Sequence, residues 1–204
     1  MRPAPQSRHA GDAQMNHRDV IERTQERLEL RDGRVVDVRP LEQRDRQLLE
    51  GSIGRLSEES RYLRFGTLKP RMTERELDRL VDVDHHDHEA LLAIDPLTGR
   101  VVAVVRYIQV PGEPGVVELA ATVADDWQGM GLGSALLAGL MQRAFDEGHL
   151  AVRANVLAAN SRSIAMLRRA GFRGRGGAGT LREYELALRG SPGDRHRRRS
   201  SDAG

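Results

Sequence analysis

Apolar positions along the chain follow two different periods, and the order in which they alternate predicts the architecture. Val35, Val36 and Val38, bounded by Asp32-Gly33 and Pro40, read as a strand over residues 34–39. Leu41 to Leu56 changes to helical spacing, with Leu48, Leu49 and Ile53 on its apolar side. Ser57 then reads as the N-cap of a short helix carrying Tyr62, Leu63 and Phe65. Thr73 and Glu76 form a capping box that opens another helix running to Val83. Three strand-like runs follow, Glu89 to Ile94, Val101 to Val110 and Val116 to Ala124, with turns at Pro96–Gly99 and Pro111–Gly115. Two hairpin connections in succession imply an antiparallel meander.

Beyond Ala124 strands and helices alternate. Gly131 to Glu147 places Leu132, Leu136, Leu140 and Ala144 at steps of four, alongside Leu137, Met141 and Phe145, and Gly148 stops it. Leu150 to Leu157 reads as a strand, and Asn160 to Ala170 as a helix with Ile164 and Leu167 inward and Gly171 at its end. RGRGGAG, residues 173–179, reads as a flexible loop before a last strand from Thr180 to Leu188. The expected fold is a mixed α/β domain: helices on both faces of a largely antiparallel sheet of about six strands.

Composition narrows the class. The 204 residues are 39% apolar and 30% charged, enough for one well-buried core. Residues 1–28 show little apolar periodicity and read as a flexible extension, with Met1 or Met15 as the natural start. Residues 190–204 read as a disordered Arg-rich tail, which leaves 29–189 as the folded domain. That tail sets Arg195, Arg197, Arg198 and Arg199 against Asp194 and Asp202, and so carries the whole formal charge of +2. A neutral domain with 3% aromatic residues does not read as a nucleic-acid binder. There is no cysteine, hence no disulfide, thiolate nucleophile or Cys-ligated zinc. With no apolar run of membrane-spanning length and no signal-like apolar core, a cytoplasmic location without a membrane is the expectation.

The stretch WQGMGLG, Trp127 to Gly133, lies between a strand and the strongest amphipathic helix. Successive backbone N–H groups there converge on one concavity, and the helix dipole adds positive potential. A triphosphate-binding P-loop needs a Gly-Lys pair, and no lysine is present. A dinucleotide fingerprint fails at its third glycine from either start, where Ser134 or Leu136 stands instead. The spacing that fits is Gln-x-x-Gly-x-Gly: Gln128, Gly131 and Gly133. After an apolar strand this motif resembles the acyl-CoA pyrophosphate loop of the GNAT superfamily of N-acetyltransferases. NSRSIAMLRRAGF, Asn160 to Phe172, is similar to the family's Asn-helix ending in Gly-Phe. LSEESRYLRF, Leu56 to Phe65, with the later strand HEALLAID, resembles the catalytic domain of Pat-type bacterial protein lysine acetyltransferases.

The resemblance implies a GNAT-like sheet with a splayed central strand pair, acetyl-CoA as co-substrate, and no metal. It places the pyrophosphate on Gln128, Gly129, Met130, Gly131, Leu132, Gly133 and Ser134. The pantetheine arm and thioester fall to the free backbone groups of Thr122, Val123 and Ala124. Asn160 is either a pantetheine contact or a helix N-cap. Glu118 stands ten residues before Gln128, the family position of a glutamate general base; the strand alone makes it a half-exposed sheet residue beside small Ala120 and Thr122. Where many relatives carry a tyrosine acid, this chain has Leu167. The implied reaction is direct acetyl transfer to an amine in a ternary complex. Its acceptor is a protein lysine, such as one on an acyl-CoA synthetase, or else a small-molecule or N-terminal amine. A non-catalytic acyl-CoA-binding module is the other class, and monomer or homodimer both stay open.

The cluster DHHDH, Asp84 to His88, offers His and Asp in alternation, yet its spacing matches no closed metal set and reads as a solvated loop. All but one of the 32 Lys+Arg residues are arginine, the exception being Lys69. A lysine acetyltransferase of this composition has almost no side chain of its own to modify. Mass spectrometry after incubation with acetyl-CoA should find self-acetylation only at Lys69 and the N-terminus.

Overall fold

The computed structural model describes residues 26–66 and 71–188. The first half supplies strands β1 (Glu26–Glu29) and β2 (Val35–Pro40), then helices α1 (Arg46–Gly54), α2 (Glu58–Phe65) and α3 (Glu74–Val81). Strands β3 (His88–Ile94), β4 (Val101–Gln109) and β5 (Val116–Val123) follow, then helix α4 (Leu132–Asp146). The chain closes with β6 (Ala151–Leu157), α5 (Ser161–Arg169), β7 (Arg173–Gly176) and β8 (Leu181–Ala187). One sheet takes all eight strands in the order β1-β2-β3-β4-β5-β6-β8-β7. Every neighbouring pair is antiparallel except β5–β6.

Alternation along the central strands sends side chains to both faces, and helices cover both. Leu91, Ala93, Val105, Tyr107, Val117 and Leu119 face α4 and α5, where they meet Leu136, Leu137, Leu140, Ala144, Leu167 and Phe172. Ala90, Leu92 and Val104 face the other way and meet Leu49 and Ile53 of α1 and Leu77 and Val81 of α3. The capping box of α3 is present: Thr73 Oγ1 accepts from Glu76 N–H at 3.3 Å, and Glu76 Oε2 from Thr73 N–H at 2.7 Å. Ser57 caps α2 through Ser60 N–H at 3.1 Å. No helix among the described residues is long and apolar enough to cross a membrane.

Three expectations change. The sheet has two more strands than the pattern predicts, both at its edges. β1 falls partly inside the expected 1–28 extension, and β7 occupies the expected RGRGGAG loop. Both are polar or glycine-rich and mostly exposed, so no alternating apolar face marks them; each needs only one partner, β2 or β8. The helix expected from Leu41 begins with a 3-10 turn, Gln43–Asp45, and becomes α-helical at Arg46. Leu48 and Phe145, expected inward, are 40% and 42% exposed. Residues 1–25, Lys69 and the 190–204 tail lie outside the described residues.

The delayed start of α1 has a local cause. Asp45 is buried and takes Arg39 in two parallel hydrogen bonds, Nη1 to Oδ2 at 2.6 Å and Nη2 to Oδ1 at 2.7 Å. It also accepts from Glu42 N–H at 2.9 Å. Burial pushes the carboxyl up, but the Arg39 and Glu42 hydrogen bonds outweigh it and hold it below its ordinary value. Asp45→Asn removes that charge from a largely buried pair and should cost about 2 kcal/mol at pH 7. A group with a lowered folded pKa contributes above its unfolded value and loses that contribution as pH falls through the folded one. The wild-type advantage in urea unfolding should therefore be full at pH 7 and shrink below about pH 4.

Candidate active site

Among the described residues β5 and β6 are the only parallel neighbours, and they stay together for four residues, Val116–Leu119 against Ala151–Ala154. Past that point β5 keeps β4 through Val123, β6 keeps β8 through Leu157, and the two strands part. The splay expected from the family resemblance is thus present between them. Glu118 stands at its closed end. Its side chain is exposed, on the sheet face shared with Ala120 and Thr122, and its Oε1 accepts from Asn155 Nδ2 at 3.2 Å. Arg153, its cross-strand neighbour, gives its guanidinium to Glu113 at 2.8 Å and to Glu185 at 3.5 Å. Among the described residues no cation comes within ion-pair distance of Glu118.

Antiparallel pairing decides which backbone groups line the splay. Ala124 N–H is bound to Val102 O at 2.8 Å, so the even-numbered residues of this segment turn their amides toward β4. Groups of Ala121 and Val123 are the ones that point toward the departing β6. Of the three residues expected to offer free amides, Val123 therefore does so, while Thr122 and Ala124 are engaged on the β4 side. Thr122 instead sends its side chain into a cavity under α1 and α2.

The loop after β5 turns through a 3-10 segment, Asp125–Trp127, whose Trp127 is buried beneath the Arg34 guanidinium at 4.3 Å. Gly129 and Gly131 both hold positive φ, 84° and 90°, a conformation that disfavours any side chain. Gly131 caps α4 with no side-chain bond, so the first amides of a 15-residue helix point outward from Leu132, Gly133 and Ser134. Leu132 buries its side chain in the core, so only its backbone lines this concavity. A Cβ on Gly133 would meet Met166 Sδ at 3.3 Å and Val123 Cγ2 at 3.4 Å, which lets α4 lie close against β5 and α5. Met130 packs its sulfur against the Arg34 guanidinium.

A polar knot that belongs to no sequence motif ties this loop to α2. Asp125 accepts from Ser57 N–H and Ser57 Oγ, both at 2.9 Å, and from Ser60 Oγ at 2.5 Å. Those bonds outweigh burial and hold its carboxyl below the ordinary value. Gln128 Nε2 donates to Ser60 Oγ and to Val123 O, each at 3.1 Å, and Gln128 Oε1 accepts from Arg162 of α5. Helix α2 and the N-terminus of α5 are thereby fastened to one loop. The signal lay in LSEES, whose two serines are spaced three apart on one helical turn. Asn160 caps α5, its Oδ1 accepting from Ser163 N–H at 3.0 Å.

The DHHDH run spends its groups locally. Asp84 Oδ1 accepts the amides of His86 at 2.9 Å and His88 at 2.8 Å. His85 meets Glu89 at 3.0 Å and His86 meets Glu147 at 2.6 Å. Among the described residues no group of three or more His, Asp or Glu is arranged to hold a metal ion. His88 donates from Nδ1 to Asp82 O at 2.7 Å, while burial and the neighbouring Arg106 charge push its pKa down. That leaves Nε2 as an acceptor facing Arg106 Nη1 at 3.3 Å.

The family model for acetyltransferases (GNAT) matches residues 56–172, the stretch that holds the splayed pair, the glycine loop and the N-terminus of α4. The chain belongs to that family. Among curated proteins it is 38% identical over 122 residues to Acetyltransferase PA5475 of Pseudomonas aeruginosa, covering 58% of this chain and 64% of that protein. It is 34% identical over 104 residues to Acetyltransferase Pat of Mycolicibacterium smegmatis, covering 51% of this chain and 31% of Pat. The match thus spans less than two thirds of either relative. The GNAT domain of S. lividans PAT superposes with a TM-score of 0.74 at 29% identity, covering 80% of this chain and 96% of that domain. The yncA acetyltransferase of Salmonella typhimurium with acetyl-CoA shares the fold, at a TM-score of 0.64, 18% identity, and coverage of 76% of this chain and 95% of yncA.

The loop geometry carries its own test. Gly131→Val puts a β-branched residue where φ is 90° and closes the concavity. The KM for acetyl-CoA should rise about ten-fold or more, since a factor of ten needs only about 1.4 kcal/mol. An unchanged KM in steady-state CoA-release assays would remove the loop from the binding site.

Proposed function

We propose that the protein transfers an acetyl group from acetyl-CoA to an amine, a protein lysine, by direct attack in a ternary complex. The observation that carries this reading is an accessible carboxylate, Glu118, at the closed end of the β5–β6 splay, on the face opposite the core under α4. The likeness to Pat of M. smegmatis and to the S. lividans PAT domain supports lysine as the acceptor class.

The chemistry follows from the groups present. An alkyl ammonium with pKa near 10.4 must lose a proton before its nitrogen attacks. Glu118 takes that proton, directly or through one water, while the amine nitrogen bonds to the thioester carbonyl carbon. The C–S bond then breaks and CoA leaves as thiolate. Leu167 stands where many relatives carry a tyrosine acid, and it is buried at 2% exposure, so that position supplies no proton. A thiol with pKa near 8.5 is a good enough leaving group without one. On the cofactor side, backbone groups of Ala121 and Val123 would line the pantetheine arm. The amides from Gly129 to Ser134 would take the pyrophosphate, and Asn160 has an Nδ2 beyond its capping bond to offer the arm.

Glu118→Gln keeps the shape and the Asn155 contact but removes the base. Turnover at neutral pH should fall about 100-fold with the acetyl-CoA KM unchanged. Turnover equal to wild type would sink the base role. Labelled acetyl-CoA added with a cell extract, or with a purified acyl-CoA synthetase, should place label on protein lysines. Label confined to small amines would replace the protein acceptor with a small one.

A further inference from the structure

The face that carries Glu118 also carries two arginines that the reaction leaves unused. Arg106 is the one charged residue in the buried run Val101–Tyr107 of β4, and it is 4% exposed. It shares the sheet face of Val104 on its own strand and of Glu118, Ala120 and Thr122 on β5, being paired in register with Ala120. Its Nη1 donates to Leu80 O at 2.8 Å and faces His88 Nε2, while Nε and Nη2 make no hydrogen bond among the described residues. Arg64 lies on α2, which packs over β5 and β6. Its Nε is fully enclosed and has no hydrogen-bond partner.

Two guanidiniums in this position repel. Burial, reinforced by the Arg64 charge, pulls Arg106 down to about 9. Burial pulls Arg64 down to about 10, opposed by the attraction of Glu118. Both remain cationic at neutral pH, and neither has a carboxylate within ion-pair distance among the described residues. Arg106 is an enclosed cation with no counter-charge, which is costly and points to an anion that arrives with a ligand, while Arg64 is partly exposed, its guanidinium over the Phe65 ring at 4.8 Å and its buried Nε unpartnered. Arg106 and Thr122 line a cavity of about 20 Å³ with Leu49, Ile53, Phe65 and Leu80, which opens beneath α1 and α2. Glu118 attracts Arg64, and Arg64 repels Arg106, so one anion and two cations act on one another at this face.

We propose that Arg64 and Arg106 form a carboxylate subsite of the acceptor pocket, so that the acceptor presents an amine to Glu118 and a carboxylate to the arginines. The proposal rests on the acetyl-transfer reading and adds the acceptor's chemistry to it. The carboxylate belongs either to a free amino acid or to an acidic residue beside the target lysine of a protein. Both Arg64 and Arg106 act on specificity, and neither touches the thioester.

The test uses the full chain with acetyl-CoA and two matched acceptor pairs. One pair is lysine against lysine amide; the other is a lysine peptide with a neighbouring glutamate against the same peptide with glutamine. Wild type should prefer the carboxylate member of at least one pair by about 10- to 100-fold in kcat/KM, the range of a charged hydrogen bond. Preference in the first pair identifies a free amino acid, and preference in the second an acidic flank. Arg64→Gln and Arg106→Gln should each bring the ratio close to one while leaving the acetyl-CoA KM unchanged. Equal kcat/KM within both pairs for wild type overturns the subsite and leaves acetyl transfer standing, whether or not the variants fold. If no acceptor releases CoA, acetyl transfer to these amines fails, and thermal melting decides the subsite. Nε-acetyl-lysine raising the wild-type Tm more than its amide supports the subsite, and equal Tm values overturn it.

Discussion

The site depends on one constraint: a parallel strand pair that lasts four residues in a sheet otherwise antiparallel throughout. An antiparallel neighbour could have followed β5 to its end, because a hairpin brings the two strands back along the same line. A parallel neighbour has to return through a crossover, here the loop after β5 and all of α4, and the crossover fixes only where β6 begins. β6 is then drawn to β8, which it pairs from Ala151 to Leu157, while β5 is held by β4 from Val117 to Val123. Both strands satisfy one side fully and abandon each other. The gap this leaves holds unpaired backbone groups, normally a liability, at the place where an extended ligand can pair with them.

The crossover that creates the gap also sets the glycine turn and a helix N-terminus at its mouth. The 3-10 turn and the two glycines with positive φ reverse the chain so that α4 starts directly after β5, with its N-terminal amides facing the same opening. The knot of Asp125, Ser57, Ser60 and Gln128 then fixes α2 over that opening. One loop thus holds both the glycine turn before α4 and the helix α2, which makes Asp125 a structural link between the two.

How far this was legible in the sequence varied with the kind of signal. Elements with an apolar face, such as α4 and the β3–β5 meander, announced themselves because periodicity reports burial. β1 and β7 did not, since an edge strand needs only a backbone partner, and ERLE and RGRG carry no apolar face. The loop was read from glycine spacing, and the conformations of Gly129 and Gly131 supply the reason for it. Which amides line the splay was not readable: a strand's hydrogen-bond phase follows from its partner's register, and one strand alone does not contain that register. Asp125 escaped for a related reason, since its partners lie 65 and 68 residues away. Arg106 was visible as a lone charge in VVAVVRYIQV, but its meaning needed Arg64 and Glu118 beside it.

The arginine excess gains a physical role at these buried positions. A guanidinium starts from 12.5, so burial and a like charge bring Arg106 to about 9 and leave it protonated at neutral pH. A lysine in the same surroundings would start from about 10.4, and the same burial and like charge would push it down, toward loss of its proton and of its attraction for a carboxylate. It would also be a nucleophilic amine in an enzyme that transfers acetyl groups to amines. Arginine meets both demands: it keeps its charge out of water, and its delocalised nitrogens are poor nucleophiles. Whatever the origin of the chain-wide bias toward arginine, a cation buried in the sheet of this enzyme is better made as a guanidinium than as an ammonium.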